Sequence, residues 1–276
     1  MIKNRLIHIL PDPMRNIADR FALLDVIQYA GVVFFFGWLL WRGEERLGYN
    51  WQWYRVTNYL PDFENGRLVL GPLAEGLGVT LKITAVSMIL AFLIGLITAL
   101  LRLSRSTMAK ILARSYLELI RNTPLLVQLF FIYFVLSPIL AMDAFTAAVL
   151  SLSLFEGAYI SEIFRAGIVS VEKGHWEAAF SIGLNVPKTY LRVVLPQAIR
   201  RILPPLTSQA VSLVKDSALV STIAIYDLTM QGQIIIARTY LVFEIWFTVA
   251  AIYLVITTFL SLTVRYLENR LRIGNY

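Results

Sequence analysis

The sequence predicts an all-α integral membrane protein that crosses the bilayer six times, with both termini in the cytoplasm. Three observations predict it. The 276-residue chain is 58% hydrophobic and only 16% charged, with a mean hydropathy of +0.66, whereas soluble domains carry roughly a quarter charged residues. Apolar runs approaching or exceeding the roughly 20 residues needed to span a bilayer recur along the chain. The basic residues gather in short stretches between those runs, which is the positive-inside bias. The formal charge of +7 and pI near 9.7 therefore report topology, and nucleic acid is not expected as a partner.

Residues 1–20 form a cytoplasmic N-terminus, with Lys3, Arg5, Arg15 and Arg20 against Asp12 and Asp19. Pro11 and Pro13 oppose regular helix there. Residues 21–42 hold the first membrane helix, with its apolar run from about Leu23 to Trp41. Asp25 and Gln28 shorten its apolar part, and Trp38 and Trp41 suit its far interface. No small-residue cleavage site follows, so the run is read as retained rather than as a signal peptide. Residues 43–72 make an outer loop rich in aromatics (Trp51, Trp53, Tyr54, Tyr59) and nearly balanced in charge. It suits a surface resting on the membrane, and a protein partner is the other reading.

The remaining spans run from about Leu77 to Leu101, Leu119 to Leu140, Phe145 to Phe164, Leu203 to Ile225 and Phe243 to Val264. Arg102, Arg105, Lys110 and Arg114 mark the first connection among them as inside. Residues 166–201 are the second inside stretch, with Lys173, Lys188, Arg192, Arg200 and Arg201. A short outer loop holding Gln231, Gln233 and Arg238 precedes the sixth span, and a basic tail ending at Arg272 follows it. Six crossings place both basic loops and both ends on one side.

Enzyme chemistry is excluded early. No phosphate-binding G-x-x-x-x-G-K, H-E-x-x-H or G-x-S-x-G occurs, and His8 and His175 are the only histidines. Without cysteine there is no disulfide and no cysteine-bound metal. No metal site and no catalytic residue is expected.

Polarity inside the spans is what remains, and it is expensive there, on the order of 2.5–3.5 kcal/mol per charged group. Glu156, Tyr159 and Glu162 recur on one helix face, with Arg165 placed to make a structural ion pair with Glu162. Arg121, Asn122, Thr123 and Pro124 open the third span, with Gln128 two turns beyond Arg121. Ser208, Ser212, Lys215 and Thr222 share a face in the fifth, beside Asp216 and Ser217. A zwitterion needs a cation for its carboxylate and an acceptor for its ammonium. Lys215 or Arg121 suits the first role; Glu156, Asp216, Asn122 or Gln128 suits the second. Lys215 and Asp216 equally suit mutual neutralisation, and Ser208 and Ser212 suit helix packing.

The inside stretch contains Glu177-Ala178-Ala179, Gly183, Pro187, Val193, Leu195 and Pro196 in a fixed order. Alanine favours helix, Gly183 interrupts it, Pro187 can start a new first turn and Pro196 opposes simple continuation. Two short helices meeting at an angle are expected. This pattern resembles the cytoplasmic EAA loop of ABC-transporter permeases. Arg121 to Gln128, Ala158 to Gly167 and Val214 to Leu219 resemble the polar amino-acid uptake branch, over about Gly76 to Arg272. The resemblance implies a five-helix importer core in residues 73–272, to which the first span is an addition. It implies a coupling role for the loop, a second permease subunit (identical or related) and two ATP-binding cassette subunits. ATP and magnesium belong to those subunits, and this chain carries no cofactor. It further implies an extracytoplasmic binding protein, a bacterial inner-membrane location and polar amino acids as cargo. His175-Trp176 departs from the family pattern just before the loop. The alternative is an ion-coupled carrier or channel acting without an ATPase.

Overall fold

The computed structural model describes residues 26–39, 42, 48–64 and 67–272, with 63–64, 67–68, 265 and 267–272 described by backbone alone. The expected cytoplasmic N-terminus and both ends of the first apolar run lie outside the described residues. The chain divides into two compact units, residues 1–51 and 52–276. In the first, helix α1 covers Val26–Leu39. That is short of a span by itself.

The second unit opens with a turn of 3₁₀ helix, Trp53–Tyr59, and a hairpin of strands β1 (Asp62–Glu64) and β2 (Arg67–Val69), paired antiparallel with Phe63 opposite Leu68. The expected loop is thus structured, and among the described residues the fold is helical apart from this small ribbon. Its anchor is Glu244, fully buried at the start of the last helix, whose Oε1 accepts the Gln52 backbone N–H at 2.7 Å.

Helix α2 (Pro72–Leu103) is longer than the predicted span by several residues at its start. Three further differences have physical causes. The third span does not begin at Leu119. Thr107–Arg121 forms an amphipathic helix of its own, α3, and α4 (Leu125–Leu140) leaves it at 105°. Pro124 has extended backbone and precedes α4, so Arg121 belongs to the helix before the break. Helix α5 (Ala144–Val169) matches the fourth span; the Asp143 side chain caps it through the Thr146 N–H at 3.0 Å. Hydrogen bonds with Thr146 hold that carboxyl below its ordinary pKa.

Pro196 opposes simple continuation, and the chain meets it with a π turn; what differs from the expected pair of short helices is that the second one is long. After α6 (Lys173–Ser181), helix α7 runs from Val186 to Ile223. A π-helical stretch, Tyr190–Val194, precedes the proline, and Leu195 N–H reaches back to Tyr190 O. The wider turn accommodates a ring that would clash with the carbonyl of an ordinary α-turn. Finally, the predicted loop after the fifth span is helix α8 (Leu228–Thr239), bent 48° from α7 after Ala224 takes a left-handed backbone. Helix α9 (Val242–Arg272) is the last element among the described residues.

Helices α2 and α5 form the spine. Gly95 lies so close to α5 that an added Cβ would sit 2.6 Å from Ile160 Cγ2 and 3.0 Å from Gly157 O. One cluster, with Ile83, Leu129, Leu152 and Leu213, fills the bundle on one side of this crossing. A second, with Ala99, Ile160, Phe164, Val194 and Ile202, fills the other. A third seats α8 and α9 through Leu73, Leu228 and Ile245. Gly76 fixes that last seat, because a Cβ there would lie 2.7 Å from the Asp227 carbonyl oxygen, which is backbone and cannot rotate away. Gly76→Val is expected to destabilise the fold by about 1–3 kcal/mol, read as a lower melting temperature of the purified protein.

Candidate functional site

Two regions hold most of the sequence-selected residues. The first is the junction of α6 and α7. Helix α6 ends in the paired hydrogen bonds of a Schellman turn: Gly183 N–H to Phe180 O at 2.9 Å and Leu184 N–H to Ala179 O at 3.1 Å. Gly183 sits at φ +79°, a left-handed backbone that glycine adopts without penalty. Asn185 then caps α7, its Oδ1 accepting Lys188 N–H at 3.1 Å, with Pro187 in the first turn. Trp176 packs edge-on against Tyr190 at 4.8 Å and ties the two helices together.

Of the motif residues, Ala179 is buried beneath this turn, while Glu177, Ala178, Gly183, Pro187, Leu195 and Pro196 are exposed. Around them Phe180, Val186 and Leu191 are also exposed, and Ile182 is 77% exposed. An apolar knob on a polar projection is the composition of a docking surface.

The second region lies between α5 and α7. Glu156 is fully buried and its Oε2 accepts Gln209 Nε2 at 2.6 Å, while its Oε1 has no hydrogen-bond partner. The Asp216 carboxyl is its other polar neighbour. Gln209 also lines a cleft of about 490 Å³ with Arg121, Tyr159, Glu162 and Arg201. The Arg121 guanidinium lies 5.6 Å from the centre of the Tyr159 ring, a cation–π contact. Asn122 faces a separate polar cleft of about 380 Å³ on the far side of that pair.

Other predicted residues sit elsewhere. Gln128 braces the α3–α4 break: its Nε2 donates to Ile120 O at 2.7 Å and to Thr123 O and Oγ1 at 3.0 and 2.8 Å. Thr123 in turn donates to Leu119 O at 2.9 Å. Ser217 is buried and donates to Val214 O at 2.8 Å. Lys215 is exposed and Ser212 half-buried.

Glu162 pairs with Arg165 as its spacing predicts, and also with Arg102 from α2, so the ion pair joins two helices. Arg102 and Gln209 were missed. Gln209 had a signal, since it stands two turns before Asp216 on one helix face. Arg102 had none beyond its place in a basic loop.

The family model for the binding-protein-dependent transport system inner membrane component matches residues 91–273. The glutamine transport system permease protein GlnP of Escherichia coli K12 is 42% identical over 204 residues, 73% of this chain and 93% of that protein. The L-cystine transport system permease protein TcyB of Bacillus subtilis is 42% identical over 201 residues, 72% and 86% respectively. Among solved structures, an amino acid ABC transporter crystallised with histidines superposes with a TM-score of 0.68 at 42% identity, over 72% of this chain and 94% of that one. The inward-facing MetNI methionine transporter superposes at 0.61 with 21% identity, over 72% and 95%, a likeness of fold.

Proposed function

Because the chain belongs to the binding-protein-dependent transport system inner membrane component family, we propose that it is the membrane subunit of an ATP-driven importer of polar amino acids. It is an ABC-transporter permease for amino acids. Two permeases enclose the pathway, and two ATPase subunits bind ATP and magnesium on the cytoplasmic face. An extracytoplasmic binding protein delivers the amino acid.

The observation that carries this reading is the α6–α7 junction. It is rigid at its base, through the Schellman turn and the Trp176–Tyr190 contact, and apolar at its exposed tip. A carrier acting alone has no use for such a surface. When the ATPase dimer closes, the knob at residues 177–191 moves with it, and continuous helix α7 carries that motion to Gln209 and Asp216 as a rigid-body tilt. The π turns at 190–194 and Pro204-Pro205 within α7 are places where it can bend.

On the pathway, Arg121 meets the substrate carboxylate while Glu156, with Asp216, accepts from the ammonium. Glu156 suits this because one of its oxygens is buried without a partner. The basic loops lie inside, both termini are cytoplasmic, and α1 contributes to a sixth crossing of the bacterial inner membrane.

Co-expression with a family ATPase tests the reading. The permease is expected to co-purify with that subunit, and the complex, given a binding protein, to hydrolyse ATP faster when the cognate amino acid is present. Transport by the lone chain in vesicles would overturn it.

A further inference from the structure

Helix α3 carries three distinct stripes. Ala113, Leu117 and Ile120 are buried against the bundle. Met108, Ile111, Leu112 and Leu119 form a second stripe, each more than half exposed. Lys110, Arg114, Glu118 and Arg121 form the third, between them. An exposed apolar stripe beside a basic one, on a helix set at 105° to the one that follows, is the composition of a helix lying in a membrane interface.

Against the basic stripe lies the cleft of about 380 Å³, lined by Arg102, Arg114, Arg121, Glu118, Asn122 and Tyr159. Its charges do not balance. Glu118 is the one carboxylate on its wall, and its Oε2 already accepts Asn122 Nδ2 at 2.9 Å. Glu162, which faces Arg102, is shared with Arg165. Among the described residues Arg114 makes no ion pair. Arg114, with Arg102 beside it, therefore leaves uncompensated positive charge on a polar space beside a strip suited to acyl chains, while Arg121, which also lines the cleft of about 490 Å³, is kept for the substrate.

We propose that this cleft seats the headgroup phosphate of an anionic phospholipid from the inner leaflet. Its acyl chains run along the exposed stripe of α3. A free amino acid fits less well, because the cleft offers no second carboxylate for an ammonium. Guanidinium groups engage phosphate oxygens in pairs, and basic pockets between membrane helices on the cytoplasmic side are the usual seats of such headgroups. The inference rests on the inside placement of the 104–106 connection in the reading above.

The test uses the permease–ATPase complex in detergent, titrated with phosphatidylglycerol or phosphatidylcholine and read by native mass spectrometry. The wild type is expected to retain phosphatidylglycerol preferentially, and Arg114→Ala to lower that retention roughly fivefold, the effect of one basic residue at an anionic surface. Equal retention of the two lipids overturns the proposal, as does unchanged retention by Arg114→Ala. Displacement of phosphatidylglycerol by the transported amino acid also overturns it and makes the cleft a substrate subsite. The same spectrum counts ATPase subunits, so failure of assembly is seen separately from failure of lipid binding. The chain has no cysteine of its own, so Ser106→Cys gives one thiol to locate. Labelling by an impermeant maleimide from the cytoplasmic side supports the inner-leaflet placement, and labelling from the outside overturns it.

Discussion

Glu177→Arg is expected to abolish stimulation of ATP hydrolysis by substrate, by a factor of ten or more, while leaving the permease folded. Glu177 is exposed on α6 and makes no ion pair among the described residues. Its replacement therefore removes nothing that holds the chain together, and exposed positions of this kind usually change stability by less than about 0.5 kcal/mol. At an interface the same change sets a cation where an anion was fitted, and like-charge juxtaposition there costs several kcal/mol. Ile182→Asp is a second route to the same end, because it buries a carboxylate wherever the 77%-exposed isoleucine is received. Gly183→Val acts differently. It forces a β-branched residue to φ +79° and opens the Schellman turn, so it loosens the knob instead of altering its surface. The check is hydrolysis by the reconstituted complex with binding protein, with and without amino acid, at matched melting temperature. Full stimulation in all three variants would reduce the junction to a linker.

What the sequence disclosed and what it hid follow from the range of the interactions involved. The junction was legible because its geometry is local. Gly183, Asn185 and Pro187 each fix the backbone within a turn or two of themselves, and a helix stop followed by a helix start can be read from that order. The long apolar runs were legible for the same reason.

Boundaries failed where apolar residues serve a surface rather than a span. Leu119 looks like the start of a crossing, yet it lies on the exposed stripe of α3. Leu228–Thr239 looks like a loop because Gln231, Gln233 and Arg238 interrupt it, but packing of Leu228 and Ile235 against α9 makes it a helix. The length of α7 was hidden because a proline's clash depends on the turn before it, and a π turn that lets the helix run on is not written in any residue type. The polar contacts across helices were hidden altogether. Glu156 meets Gln209 across 53 positions and Glu162 meets Arg102 across 60. Periodicity along one helix chooses a face but does not name the partner.

The second large effect is expected at Glu156. Glu156→Gln keeps the volume and leaves an amide oxygen to accept from Gln209, so the packing between α5 and α7 is retained while the carboxyl is lost. Uptake of the amino acid is expected to fall roughly 10- to 100-fold, the range for losing a hydrogen bond to a charged group. Basal hydrolysis and assembly should be retained. Gln209→Leu removes the donor at 2.6 Å and leaves the carboxylate in place without its orienting partner, so a smaller loss is expected, expressed mainly as a higher substrate concentration for half-maximal uptake. The two variants separate the carboxyl itself from its orientation. If Glu156→Gln transports normally while Glu156→Leu fails to assemble, the buried carboxylate is a packing element between α5 and α7. The ammonium must then be met elsewhere, and Asp216, half-buried beside Glu156 on α7, is the group that would take its place. If Glu156→Gln loses uptake and Asp216→Asn does not, the acceptor is the static helix α5. Helix α7 then works by drawing Gln209 away from a carboxyl that stays where it is.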